Sequence, residues 1–276
     1  IQDNGLISIT NMGALLFAKN FSEFPSVARK AARVIQYGGD GRLVMSRQRT
    51  FSQGYVLCLD DIVGHVLDLL PATTVIERAT RREVPQLPEI AIREAVANAL
   101  IHQDFGITGA GPLIEVFSNR VEITNPGVPL VDTMRILNDP PRSRNEQMAA
   151  LLRRLDLCEE AGSGWDKMVA ACELRQLPAP RIETAGNNTR VVLFADIPFK
   201  NLTPDERRMG CYWHACVKYA NADAATNKSL RERFGLSDSQ SAQVSRLVRE
   251  CMEQGLIKQL DPAASKKNMR YVPWWA

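Results

Sequence analysis

The sequence predicts an α/β domain over residues 1–199 and a small helix-rich domain over residues 201–276. Three observations lead there. Short apolar strand-like runs alternate with helix-like runs as far as Pro198. From Asn201 the pattern turns to three consecutive helix signals followed by a short ribbon. Charge divides at the same place. Residues 200–276 carry 13 Lys and Arg against 8 Asp and Glu, and the rest carries 21 against 23. A basic excess confined to the C-terminal quarter points to nucleic acid as its partner.

The chain's 276 residues suffice for one large or two modest domains. A hydrophobic content of 45% with 24% charged residues is that of an ordinary globular protein. No apolar run approaches the ~18–20 residues of a membrane span, and no signal peptide is visible. The expectation is a cytoplasmic protein with no membrane partner. The six cysteines (58, 158, 172, 211, 216 and 251) form no C-x-x-C pair and read as buried free thiols in a reducing compartment. Cys211, His214 and Cys216 gather metal-ligand types within an apolar helical pattern. No second ligand pair accompanies them, so they read as core. The opening at Ile1 rather than Met points to a piece of a longer chain.

Residues 8–19 read as a helix capped by Thr10 or Asn11, with Met12, Leu15, Leu16 and Phe17 on its apolar side. Residues 31–37 and 42–51 read as strands joined at Gly38-Gly39-Asp40-Gly41. The second turns basic at Arg47 and Arg49, as a solvated edge does. Residues 55–70 form a helix stopped by Pro71.

Residues 87–105, LPEIAIREAVANALIHQDF, organise the rest. Pro88 opens a helix near its first turn, where its missing N–H is no loss, and Gly106 closes it. From Ile90 to His102 the polar residues are Arg93, Glu94, Asn98 and His102. The last three recur every four residues and form one narrow stripe on a helix otherwise built for burial. A buried carboxylate or amide needs a partner. Protein groups, water, a metal or a ligand would each serve. Gln103 and Asp104 follow, then the loop 106–112 with three glycines. An acid and an amide on one helix face beside such a loop suit a site that holds a metal and a phosphate.

Residues 113–118 and 120–124 read as a hairpin about Asn119. Asn125-Pro126-Gly127 then brings backbone close to the site, or is a plain turn. Residues 142–155 read as a helix with Met148, Leu151, Leu152 and Leu155 inside. Its Arg142, Arg144, Asn145, Arg153 and Arg154 reach toward phosphate or form a solvated face. Gly162-Ser163-Gly164 starts an amphipathic helix to about Leu174, and the free N–H groups of a helix start attract anions. Residues 182–184 and 190–197 close the sheet as a hairpin about Asn187-Asn188.

Thr203 as cap and Pro204 at the first position start a helix that runs to about Ala220. A second helix, 227–234, ends at Gly235-Leu236-Ser237. A third begins there with Ser237 and Gln240 as a capping box and runs to Gln254, with Gly255 as its stop. This is the helix-turn-helix pattern. Residues 255–260 and 268–272 add a β-wing, so the domain resembles a winged helix-turn-helix. Ser239, Gln240, Gln243 and Arg246 are the expected reading residues, since Gln and Arg pair with base edges. Lys266, Lys267 and Arg270 suit phosphate. The partner implied is double-stranded DNA, with a protein-packing role as the alternative. A homodimer is expected of such regulators.

The stripe segment resembles the Glu-x-x-x-Asn N box of the GHKL ATPases. More closely, it is similar to the signature P-x-x-A-I-R-E-A-x-x-N-A-x-x-H-R-D-Y of RecG-like C-terminal, ATP-binding transcriptional regulators. It departs at Gln103, where that family favours Arg, and at Phe105, where it favours Tyr. Residues 9–17, ITNMGALLF, resemble the family's lead-in. Asn125-Pro126-Gly127, Arg144-Asn145 and Glu159-x-x-Gly162-Ser163-Gly164 resemble its N-P-G, R-N-x-x-I-A and E-x-x-G-S-G elements.

The resemblance implies a GHKL-like, Bergerat-type two-layer sandwich, with 1–80 as a lead-in and 84–199 bearing the motifs. It implies ATP and Mg²⁺ as cofactors. Glu94 would orient or deprotonate water and Asn98 hold Mg²⁺. His102, Asn125 and Gly127 would line the nucleotide site, and Gly162 and Gly164 would cradle phosphate. In GHKL proteins an Asp accepts the adenine amino group; here the residue is Asn125, and Pro129 replaces a usual glycine. Members of the family often carry an upstream Schlafen/AlbA-like domain. The function implied is a DNA-binding transcriptional regulator whose GHKL-like domain binds ATP, with weak ATPase activity open. The alternatives are an active ATPase acting on DNA, for which no Walker A motif is present, and a degenerate scaffold for dimerisation or an effector.

Overall fold

A computed structural model describes residues 2–3, 6–77, 80–140, 142–158, 164–265 and 268–276, with backbone alone for 2–7 and 72–84. Gly162, Lys266 and Lys267 lie outside the described residues. The chain divides into two compact units, residues 1–164 with 181–193, and residues 165–180 with 194–276. The segment 165–180 therefore clusters with the C-terminal helices rather than with residues 1–164, where the sequence reading had put it.

The first unit is mixed α/β. Strands β1 (Gln2–Asp3) and β2 (Leu6–Ile7) pair antiparallel ahead of helix α1 (Asn11–Phe17). Thr10 caps α1, its hydroxyl taking the Gly13 N–H at 3.0 Å. Strands β3 (Ala32–Tyr37) and β4 (Met45–Phe51) precede α2 (Tyr55–Leu69), which ends before Pro71. A hairpin that sequence patterning did not indicate follows, β5 (Ala72–Glu77) with β6 (Thr80–Pro85). Then come α3 (Glu89–Ile101), β7 (Leu113–Val116), β8 (Arg120–Pro126) and α4 (Glu146–Arg154). After α5 (Gly164–Leu174) the chain adds β9 (Arg181–Ala185) and β10 (Asn188–Phe194).

Six strands form one sheet in the order β4-β3-β7-β8-β10-β9. β3 runs parallel to β7, while β3–β4, β7–β8 and β9–β10 are antiparallel. The register puts Val34 beside Ile114, Ile114 beside Ile123 and Val116 beside Val121. All five are buried, with α2 packed on β3 and α3 on β8. The period of two sends their neighbours to the other face. There Glu115 and Glu122 stand opposite each other, both nearly inaccessible. Two adjacent buried carboxylates persist only if paired. Arg42 pairs them, donating to Glu115 Oε1 at 2.6 Å and Oε2 at 2.8 Å and to Glu122 Oε2 at 2.5 Å. Arg120 holds Glu122 Oε1 at 2.7 Å. Edge strand β4 is exposed along residues 45–50, Arg47 and Arg49 included.

The second unit joins α5 to α6 (Pro204–Ala220), α7 (Asn227–Arg233), α8 (Ser241–Glu253) and an antiparallel ribbon of β11 (Ile257–Gln259) and β12 (Tyr271–Pro273). Thr203 and Glu206 form a reciprocal capping box at α6, and Thr226 with Ser229 does so at α7. The core gathers Trp165, Trp213, Tyr212, Leu230, Val244, Leu247 and Cys251, all buried. Both His214 ring nitrogens are taken, Nδ1 by Glu173 Oε1 at 2.6 Å and Nε2 by Ser229 Oγ at 2.8 Å. The cysteines are free thiols, and all but the half-buried Cys158 are buried.

Candidate functional site along helix α3

Helix α3 is buried on nearly every side, as a helix rich in Ala and Ile should be. Its stripe is not uniform. Glu94 is 3% exposed, while Asn98 and His102 are half-buried. Gly164, the first residue of α5, lies directly against the first two. A Cβ placed there would meet Glu94 Oε2 at 2.5 Å and Asn98 Nδ2 at 3.7 Å. The expected glycine of the helix start therefore borders the expected acid and amide. The Asn98 side chain makes no hydrogen bond among the described residues. Its amide is therefore open to water or to an added ligand.

The other end of the stripe is stapled by residues the sequence reading left undecided. A helix leaves its last carbonyls without partners. Here Asn145 Nδ2 donates to the Ile101 and Gln103 carbonyls at 2.7 and 2.8 Å. Arg144 donates to the Val128 carbonyl at 2.6 Å and, at 3.4 Å, to that of His102. A cation suits the negative end of a helix dipole. Arg144 thus fastens α3 to the turn after β8 and is not a loose solvated arginine. Burial, with the Arg144 charge beside it, pushes the His102 imidazolium below its usual pKa. His102 is consequently neutral near pH 7.

Gly127 occupies the left-handed region at φ 105°. A Cβ would stand 3.0 Å from Asp104 Cβ, 3.1 Å from the Asp104 nitrogen and 3.1 Å from Arg144 Nη1. Only glycine meets both conditions, so this turn is specified and not a generic one. Asn125 is 5% exposed, and its Nδ2 turns to the Pro126 carbonyl at 3.2 Å. The Asp104 N–H donates to that same carbonyl at 2.8 Å. Asp104, Arg144 and Asn145 thus border the site; the sequence names all three but assigns Asp104 no role and leaves Arg144 and Asn145 between a phosphate contact and a solvated face. Lys30 lies nearby, its Nζ donating to the Ile107 carbonyl at 2.6 Å. Burial lowers its pKa, with the Asp104 carboxylate opposing.

In the second unit the expected DNA-reading residues separate. Ser239 is exposed, but Gln240 Oε1 accepts the Ser237 N–H at 3.0 Å. The capping box therefore consumes Gln240, and α8 proper begins one residue later. Gln243 and Arg246 are exposed and line a cleft of about 700 Å³ with Asp196, Phe199, Lys200 and Phe234. Arg249, one turn further along α8, is also exposed and was not anticipated. Arg270 is not a free phosphate ligand, because its Nη2 donates to Asp223 Oδ1 at 2.6 Å. Among the described residues no three His, Cys, Asp or Glu side chains converge as a metal cluster, and no helix is long and apolar enough to cross a membrane.

Residues 109–193 match the model of a family described as "Putative ATP-dependent DNA helicase recG C-terminal", an ATPase-like domain. The match takes in Asn125, Gly127, Gly162 and Gly164 and stops short of the α3 stripe. None of the curated proteins matches the chain. Among solved structures, the crystal structure of the DIP2311 protein from Corynebacterium diphtheriae is similar, with a TM-score of 0.62 and 18% identity. It aligns with 96% of this chain, which spans 54% of that one. At this identity the likeness is one of fold.

Proposed function

We propose that the first unit is a GHKL-like domain binding ATP with Mg²⁺ along the α3 stripe, and that the second is a winged helix-turn-helix binding double-stranded DNA. The chain would then act as a DNA-binding transcriptional regulator, working as a homodimer on paired half-sites. One observation carries the nucleotide reading: the unpartnered Asn98 amide beside Glu94 and the cramped Gly164. The ATPase-like family match supports it from the neighbouring segment. In this reading the Asn98 side-chain oxygen holds Mg²⁺, a hard cation that prefers oxygen ligands. Magnesium supplies positive charge to offset the phosphates. The helix start at Gly164, where only a glycine clears the Glu94 carboxylate, offers backbone N–H groups to a phosphate. Glu94 is the carboxylate for orienting a water.

The DNA reading rests on the order α7, turn, α8, ribbon and on exposed Gln243, Arg246 and Arg249. The first measurement is a calorimetric titration with MgATP, with Asn98→Ala as control. Micromolar binding lost in the variant is expected. No heat at millimolar ATP from demonstrably folded protein would sink the nucleotide reading and leave the α8 unit as the bearer of function.

A further inference from the structure

We propose that the cleft beside α8 binds a small aromatic anion, an aryl carboxylate in its simplest form, and that filling it opposes DNA binding. The site itself is independent of the nucleotide reading. Its effect on DNA rests on the reading of α8 given above. The cleft lies wholly within the second unit, and its volume of about 700 Å³ is in the range of small-molecule sites. The turn Phe199–Asn201 ahead of α6 lines it on one side and α8 on another. Phe199 and the buried Phe234 stand edge to face there, their ring centroids 5.0 Å apart. Such a pair offers apolar surface against which a further ring packs.

The charge of the ligand follows from Arg207. Its guanidinium lies 4.8 Å from the Phe199 ring centroid. Its Nε donates to the Phe199 carbonyl at 3.2 Å and its Nη2 to the Lys200 carbonyl at 3.0 Å. Nη1 has no protein acceptor among the described residues. A guanidinium already held in place loses little freedom when an anion arrives. Lys200, Arg207 and Arg246 also outnumber the two acids of the cleft, Asp196 and Glu250. A ligand with a carboxylate at one end and a ring at the other meets both features. A neutral ring misses the arginine, and an alkyl anion misses the aromatic pair. Arg246 and Gln243 line this cleft and are also the exposed α8 residues proposed to meet DNA. A carboxylate on Arg246 withdraws that side chain from the duplex, so the two ligands exclude each other. Arg207 stands outside the proposed DNA face and separates the two events.

Calorimetric titration with naphthoate, and with neutral naphthylmethanol as its counterpart, tests the site on wild type, Arg207→Gln and Phe199→Leu. Arg207→Gln keeps an amide donor for the backbone and loses the charge. Phe199→Leu keeps apolar volume and loses the ring. Wild type is expected to bind naphthoate at least ~10-fold more tightly than the alcohol, and Arg207→Gln to lose about that factor. Phe199→Leu is expected to weaken both probes. In anisotropy titrations, naphthoate at about ten times its Kd should raise the wild-type DNA Kd about 10-fold. The same concentration should leave Arg207→Gln, whose own DNA affinity is unchanged, without effect. No heat from millimolar naphthoate on folded wild type overturns the inference. So does equal affinity for the alcohol, or unchanged naphthoate binding in both variants. If circular dichroism shows Arg207→Gln unfolded, Phe199→Leu and the neutral probe decide. Naphthoate bound with DNA affinity unchanged overturns the antagonism. A chain that binds no duplex at all fails the DNA reading instead, and the calorimetry still decides the cleft.

Discussion

Single residues show how closely the two ends of α3 are specified. Gly127→Ala would force a side chain into the left-handed region and against Asp104 and Arg144. A cost of about 1–3 kcal/mol in chemical denaturation is expected, together with weakened MgATP binding, because the turn borders the stripe. Asp166 poses the opposite problem. Burial pushes its carboxyl up to about 6, and Oδ1 has no hydrogen-bond partner. A group whose folded pKa is raised from 3.8 takes up a proton on folding between those values. Stability therefore falls as pH rises through that window and stays lowered above it. Asp166→Asn is expected to raise Tm at pH 8 and to lose that advantage by pH 4, measured by calorimetric scans. An unchanged Tm at pH 8 would show that the charge is better solvated than its burial implies. Asp166 was invisible as a strained residue in the sequence, because a helix-start Asp is ordinarily a favourable one.

At the scale of elements, the sheet depends on a residue from a turn. Arg42 belongs to the glycine-rich connection between β3 and β4, yet it neutralises carboxylates from β7 and β8. Burial alone would raise the Glu115 pKa, but the hydrogen bonds and charge of Arg42, with the Tyr37 hydroxyl, bring it below its ordinary value. A depressed carboxyl stabilises the fold above its unfolded pKa and loses that contribution as pH falls through the folded one. Arg42→Ala should cost about 2–3 kcal/mol at pH 7, less than a fully buried pair because Arg42 is half-exposed. The deficit should shrink as pH falls through the depressed Glu115 pKa, where a protonated Glu115 no longer needs the Arg42 charge. Urea melts at pH 7 and in acid check the sign. The Arg144–Asn145 staple teaches the same lesson. Its residues read as a helix start from the sequence, whereas their side chains serve the end of a different helix 42 and 44 positions away.

Over the whole molecule, the proposed division of labour predicts a salt-dependent interaction through α8. Arg246→Ala and Arg249→Ala should each weaken duplex DNA binding and reduce the salt slope by about one unit. Arg270→Ala should have a smaller effect, because Asp223 already claims its charge. Anisotropy titrations at two salt concentrations measure this, and equal losses for all three would refute the assignment of faces. The sequence by itself determined what local chemistry decides. Thr10 and Thr203 caps, the Pro71 and Gly255 stops, the 3.6-residue periodicity of α3 and the short strands about Asn119 all act within a few residues, so pattern reveals them. The polar stripe of Glu94, Asn98 and His102 was legible for the same reason. Only the tertiary structure decided which distant groups meet. It set Gly164 against Glu94, put Asp104 beside the Asn125-Pro126-Gly127 turn, gave Gln240 to a cap and Arg270 to Asp223, and clustered 165–180 with the C-terminal helices. Each outcome depends on desolvation and close approach between segments far apart in the chain, and a one-dimensional pattern does not carry those quantities.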